Sequence, residues 1–318
     1  MGITERIDNI TKIPPEYRSV TPPCPKSVKI ELTGKCNFRC AFCAHAKNIR
    51  ETRHMDFGLF QRLLYEMREA GVEEIGLFYL GESFLNELLP EAVHFAKHKA
   101  KFPYVFLTTN GSLATPEKME ACFRNGLDSL KFSMNWCDEE QFMEVARVKP
   151  AYFHKAIENI FASRSVRDKV LEETGHKCGL YASYIHYNGE QDEKMRPLVE
   201  RARSVLDEVY ALPLYSQADL TGGENKKDGW NVTAGNRGRL DAMRDPLPCW
   251  ALFTEGHITW DGHLSACCFD HDGRFNMGQL TEVPFMEAWH SQKFQDLRAA
   301  NLKKDVKGTA CEGCAAYN

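Results

Sequence analysis

The stretch Cys36-Asn-Phe-Arg-Cys40-Ala-Phe-Cys43 follows directly on a short apolar strand, Val28-Lys29-Ile30-Glu31-Leu32. Its thiols fall at C-x3-C-x2-C spacing. Three cysteines in one short loop can wrap a single iron–sulfur cubane and leave its fourth iron open to a small ligand. A zinc site would want a fourth nearby ligand, and His45 is the candidate the loop offers.

Working outward, the flanking segments alternate between strand and helix patterns. A strand over 27–33 precedes the cysteine loop, Met55 to Ala70 has helical periodicity, and Glu74 to Leu80 reads as a buried strand. Helix and strand patterns then recur at 88–101, 104–108, 116–124, 129–133, about 141–174 with a break near Pro150, 180–185, 192–206 and 209–214. Strands separated by helices of this length favour a parallel sheet with helices outside, since right-handed crossovers cover it. The fold class is therefore α/β, with the polar residues at the strand C-terminal ends gathered at one mouth.

Four segments follow from this reading. Residues 1–26 are rich in Pro and read as an extended lead-in, and 27–217 carry the strand–helix units. Residues 218–245 turn to Gly, Asn, Lys and Asp and read as a connector or substrate lid. Residues 246–318 form a smaller C-terminal domain, in which His257 to Cys267 reads as a hairpin turned at Asp261-Gly262.

A hydrophobic content of 43% with 26% charged residues is that of an ordinary globular chain, and the formal net charge of −4 gives no basic field for nucleic acid. No signal peptide is evident, and no run reaches the roughly 18 apolar residues that span a bilayer. These features predict a cytoplasmic protein with no membrane partner. Twelve cysteines in a reducing compartment do not suggest a disulfide framework, and their clustering at two places favours metal sites. Cys24, Cys122, Cys137 and Cys178, outside the clusters, read as packing residues.

From about residue 27 onward the chain resembles the radical S-adenosylmethionine (radical SAM) enzymes. The resemblance implies a partial (β/α)6 barrel in which Cys36, Cys40 and Cys43 hold a four-iron, four-sulfur cluster, with the amine and carboxylate of S-adenosylmethionine on the open iron. Phe42 matches the aromatic position beside the adenine. Leu80-Gly81-Glu82 resembles the Gly-Gly-Glu motif that holds the methionine amine, with Leu80 in place of one glycine. Thr108-Thr109-Asn110-Gly111 and Ser133-Met134-Asn135 end the third and fourth strands and resemble ribose and carboxylate contacts. The implied cofactor residues are thus Phe42, Gly81, Glu82, Thr109, Asn110, Ser133 and Asn135.

Cys249, Cys267, Cys268, Cys311 and Cys314, together with a helix over 285–294, resemble the auxiliary-cluster domain called Twitch. Four ligands suffice for a second four-iron, four-sulfur cluster, so one thiol is spare. The Cys249 to Cys267 spacing resembles that of Twitch ligands and would leave Cys268 over, while strand alternation would send Cys267 and Cys268 to opposite hairpin faces. Overall organisation is most similar to the aminoglycoside-pathway members. An epimerase there needs a hydrogen donor opposite the radical, and this reading gives that role to Cys249, with Cys267, Cys268, Cys311 and Cys314 on the auxiliary cluster. The implied substrate is a cationic, neomycin-type aminoglycoside, for which Glu31, Glu255, Asp270 and Asp272 are the available carboxylates, and the implied electron donor is a flavodoxin or ferredoxin. The alternatives are a cyclitol or sugar dehydrogenase in which Cys249 is a ligand, a peptide-modifying maturase, and a zinc-bound binding module.

Overall fold

The computed structural model describes residues 2–187, 189–221 and 230–316. Six strands, β1 (Ser27–Ile30), β2 (Glu74–Gly76), β3 (Tyr104–Thr109), β4 (Ser129–Ser133), β5 (Gly179–His186) and β6 (Glu208–Tyr215), lie side by side in chain order and pair in parallel. This is the partial-barrel architecture expected from the strand–helix alternation. Between the strands run α2 (Phe57–Glu69), α3 (Leu89–His94), α4 (Pro116–Arg124), α5 (Glu139–Ala146), α6 (Ala151–Thr174) and α7 (Gly189–Arg203). The break near Pro150 is real: Arg147 takes the left-handed conformation and closes α5, and Pro150 caps α6.

Along each strand, alternate residues face outward into an apolar core or inward into the barrel. On β4, Leu130 and Phe132 are fully buried, whereas Ser129, Lys131 and Ser133 line an interior cavity of ≈ 350 Å³. Polar residues at the inward positions keep that space open for a ligand.

The 1–26 segment is not extended throughout. Ile3–Thr11 forms a helix, α1, whose first turn is held by Glu208: its carboxylate accepts from the backbone of Ile3 at 2.9 Å. An acid at a helix N-terminus satisfies free N–H groups and complements the dipole. Ile3, Arg6, Ile7 and Ile10 line the cavity, so α1 lies against the barrel interior. Prolines at 14, 15, 22, 23 and 25 dominate the segment's composition, but none falls within the helix.

The C-terminal segment joins the same sheet. Strand β7 (Val232–Thr233) adds in parallel to β6, and β8 (Glu255–Ile258) pairs in parallel with β1 on the other side. β8 then forms the expected hairpin with β9 (His263–Ser265), and Gly262 takes φ +86° in the turn. The strand β10 (Asn276–Gln279) pairs antiparallel with β9, and α8 (Phe285–Trp289), α9 (Gln292–Leu302) and α10 (Glu312–Ala315) complete the chain. The helix expected over 285–294 is thus two, parted at Ser291. The Gly222 to Gly229 part of the lid reading lies outside the described residues.

One buried cation ties these parts together. Arg298 on α9 donates to the carbonyls of Leu252 (2.8 Å), Trp289 (2.8 Å) and Val20 (3.1 Å). Its guanidinium stacks on Trp289 and Phe294, and burial pulls its pKa down to about 9. Arg298→Met should leave those carbonyls without a donor and lower stability by about 3 kcal/mol. Calorimetry on the anaerobically prepared protein should then show the melting temperature falling by roughly 4–5 °C.

Candidate active site

The cysteine loop is fastened through its backbone N–H groups at its middle and its C-terminal end. Arg39 and Ala41 donate to the carbonyls of Ala146 and Val145 at the end of α5, at 3.0 and 2.8 Å, and Ala44 donates to the Gln217 side chain just past β6 at 2.9 Å. Phe38 anchors the middle, edge-on to Phe142 and Tyr152. Cys36, Cys40 and Cys43 are brought together within this frame. Burial raises the pKa of each thiol; Glu82 and then Cys43 raise Cys36 further, and Cys43 and Cys36 raise Cys40. Such a set deprotonates only against strong positive charge, which an iron–sulfur cluster brings.

Gly81 stands where the β2 exit meets this loop. A Cβ there would lie 2.1 Å from the carbonyl oxygen of Thr33 and 2.7 Å from that of Lys35, so only glycine fits. The contact brings Glu82 beside the cysteines, with its backbone N–H on Lys35 O at 2.8 Å. Glu82 is 2% exposed and accepts from Thr109 Oγ1 (2.8 Å), Phe84 N (3.1 Å) and Asn110 N (2.8 Å). Burial still holds its carboxyl above the ordinary range. Among the described residues no Lys or Arg pairs with it; Lys118 donates to Phe84 O instead. A buried carboxylate without a cation suits a ligand ammonium, so these residues fit a methionine-type cofactor next to the thiols.

The other residues read from the strand ends divide into two groups. Thr109 faces Glu82, and Asn110 Nδ2 donates to Asn37 Oδ1 of the cysteine loop at 2.9 Å, so both brace the site from the side. Phe42, Ser133 and Asn135 line the barrel cavity. Phe42 also meets Tyr187, which packs on Trp230.

The second group of cysteines converges as well. Cys249, Cys267, Cys268, Cys311 and Cys314 all line one small pocket with Asn236 and Phe269. Strand alternation does not separate Cys267 from Cys268, because β9 ends at Ser265 and both cysteines sit in the turn beyond it. That turn is fixed by Ser265 Oγ, which donates to Asp270 at 2.8 Å, and by Tyr79 OH, which donates to Cys267 O.

Four sulfurs receive an amide N–H. Phe269 N donates to Cys267 and Gly235 N to Cys314, both at 3.3 Å; Asn301 Nδ2 reaches Cys311 at 3.9 Å, and Asn236 Nδ2 donates to Cys249. Among the described residues no amide N–H reaches Cys268, whose sulfur instead hydrogen-bonds the neighbouring Cys267 thiol. The barrel cavity is lined by Cys268 but not by Cys249, so the thiol that faces this cavity is not the one expected from the sequence. Among the described residues no three His, Cys, Asp or Glu side chains stand as close as ligands of a single bound ion. The case for this site therefore rests on the shared pocket and its N–H donors. Hydrogen bonds to sulfur of this kind tune iron–sulfur clusters.

Residues 30–200 match the Radical SAM superfamily model, which covers more than half of the chain. The chain belongs to the radical SAM superfamily. Residues 249–315 of this radical SAM chain match SPASM, an iron-sulfur cluster-binding domain that begins at Cys249 and takes in the other four cysteines. Its sequence is 30% identical over 144 residues to GTP 3',8-cyclase of Chlorobaculum tepidum, covering 45% of this chain and 43% of that protein. It is 29% identical over 204 residues to the S-adenosylmethionine-dependent nucleotide dehydratase RSAD2 of Oncorhynchus mykiss, covering 63% and 53%. The chain thus matches only about half the length of these relatives. In fold it is similar to BtrN in complex with AdoMet and 2-DOIA (TM-score 0.59, 14% identity, 91% of each chain). It is also similar to Streptococcus suis SuiB bound to precursor peptide SuiA (TM-score 0.65, 16% identity, 93% and 70%).

Gln217, Asn236, Asn301 and Tyr79 were not legible as site residues. Gln217 lies just beyond a strand end, a position that flags candidates; Asn236 and Asn301 carry no local signal, being a connector residue and a helix residue. Glu82→Gln should keep the visible absorbance of the barrel cluster and weaken S-adenosylmethionine binding about 30-fold or more, measured by equilibrium dialysis.

Proposed function

We propose that this radical SAM enzyme is an epimerase that inverts a carbon stereocentre of a small ring substrate in the barrel cavity, with Cys268 as the hydrogen donor. The observation that carries this reading is the asymmetry among the five cysteines: four accept from amide N–H groups, whereas Cys268 is bonded by the Cys267 thiol and is the one that faces the barrel cavity. Cys249, Cys267, Cys311 and Cys314 would then hold the auxiliary cluster, and Cys36, Cys40 and Cys43 the barrel cluster. The roles that the sequence suggested for Cys249 and Cys268 are exchanged.

When bound, the reduced barrel cluster and S-adenosylmethionine supply a carbon-centred radical able to remove hydrogen from an unactivated C–H bond. Glu82 would hold the cofactor's ammonium, and Ser133, Asn135 and Phe42 would orient its remainder against the cavity. The rings of Phe42, Phe78, Phe106 and Phe269 would shield part of the same space from water. Cys268 then gives one hydrogen atom to the opposite face of the substrate carbon. It is left short of one electron and one proton, which a flavodoxin- or ferredoxin-class reductant and water restore.

Support for a neomycin C type substrate comes from the sequence resemblance alone. The carboxylates that would meet its ammonium groups are engaged elsewhere. Glu31 is held by Arg50, Glu255 by Lys29 and His257, Asp272 by Arg274, and Asp270 accepts from Ser265 and Phe275.

Cys268→Ala should retain the iron of both clusters and still form 5'-deoxyadenosine. Cys249→Ala should lose about half its iron and the matching absorbance, as expected for a cluster deprived of a ligand. Loss of iron in Cys268→Ala with full retention in Cys249→Ala would restore the roles read from the sequence. For turnover, neomycin C and monosaccharides incubated in deuterated water separate the reactions by mass. One deuterium delivered through the exchangeable thiol marks an epimerase, and a loss of two mass units marks a dehydrogenase.

A further inference from the structure

The barrel cavity is lined by four cationic side chains, Arg6, Lys29, Lys131 and Arg239, and by two carboxylates, Glu74 and Glu255. Three of the cations are paired. Arg6 binds Glu74, Lys29 binds Glu255 at 2.8 Å, and Arg239 binds Asp8 at 3.0 Å. Among the described residues Lys131 makes no ion pair and no hydrogen bond; the nearest carboxylate to act on it, Glu255, is already bound to Lys29. The Lys131 ammonium lies 6.0 Å from the ring centroid of Tyr210.

Position separates Lys131 from the cofactor residues. It sits at the middle inward position of β4, two residues and thus about 6.6 Å along the strand below Ser133. Its register neighbours are Thr108 on β3 and Tyr181 on β5. Ser129, Thr108 and Ser183 add hydroxyls to the same wall of the cavity. An ammonium removed from bulk water regains that solvation best from an anion. Burial and the nearby Lys29 bring its pKa down to about 8, so at neutral pH it remains mostly charged.

We infer that the substrate of this cavity carries an anionic group, a carboxylate or a phosphate, that docks on Lys131 with its hydroxyl neighbours. This rests on the reading of the barrel cavity as the substrate site, and it makes Lys131 a specificity-determining residue. A polycation such as an aminoglycoside would bring further positive charge to a cavity whose carboxylates are already paired.

The test is calorimetric binding to the full chain, anaerobically reconstituted with both clusters and saturated with S-adenosylmethionine. The probes are D-glucuronate, D-glucose 6-phosphate, D-glucose and D-glucosamine. At least one of the two anions should bind tenfold or more tightly than glucose and glucosamine, and which one does so distinguishes carboxylate from phosphate. Lys131→Met should remove that preference, and Lys131→Arg should keep it. The inference is overturned if neither anion binds, if glucosamine binds as well as the anions, if the Met variant keeps the preference, or if its loss is confined to S-adenosylmethionine binding. Because no turnover is read, these results stand apart from the epimerase reading, which iron content and deuterium delivery judge on their own.

Discussion

Parallel pairing of β8 with β1 is the contact on which the arrangement of this enzyme depends. Four backbone positions, Ser27 to Ile30 against Glu255 to Ile258, are in register. That pairing turns a C-terminal cysteine segment into a continuation of the barrel wall. β8 leads into β9, and β9 ends just before Cys267 and Cys268, so the pairing sets the height of both thiols relative to the cavity. Tyr79, at the exit of β2, then bonds the Cys267 carbonyl and the Asp270 N–H, joining the turn to the barrel a second time.

Much of the fold could be read from the chain because its signals were local. β4 and α4 fall where the pattern placed them, at Ser129–Ser133 and Pro116–Arg124, since each has a clean apolar alternation or a capped apolar face. α1 was passed over because the prolines around it dominate the segment, although Ile3, Ile7 and Ile10 recur at helical spacing; the Glu208 contact at its N-terminus, more than two hundred residues away, lies in no local window. The shortness of β2 has a similar origin. The chain beyond Gly76 is drawn away by the contact of Gly81 with Thr33 and Lys35, although its apolar run continues to Leu80.

The candidate site divides in the same way. The spacing of Cys36, Cys40 and Cys43, and the position of Glu82 at a strand end, were visible because each lies in one short stretch. Which of the five later cysteines faces the cavity was not visible. Strand alternation presumes a strand, and the strand stops two residues short of Cys267. Only three-dimensional neighbours, Gly235, Asn236, Phe269 and Asn301, distinguish four of these sulfurs from Cys268. Lys131 escaped notice for a different reason: a lysine in a strand reads as solvated, and only the folded barrel shows that the nearby Glu255 is already taken by Lys29.

The backbone contact at Gly81 bears on how such a chain can change over generations. It sets the carboxylate and the three thiols against one another by main-chain packing, with no cavity side chain involved. Inward positions deeper in the barrel, such as Lys131 on β4 and Ser183 on β5, can therefore be exchanged and the cavity reshaped for a new molecule, while Thr109 and Ser133 stay with Glu82 on the cofactor side. Initiation and selectivity occupy separate mechanical parts of the fold, and each can drift without the other.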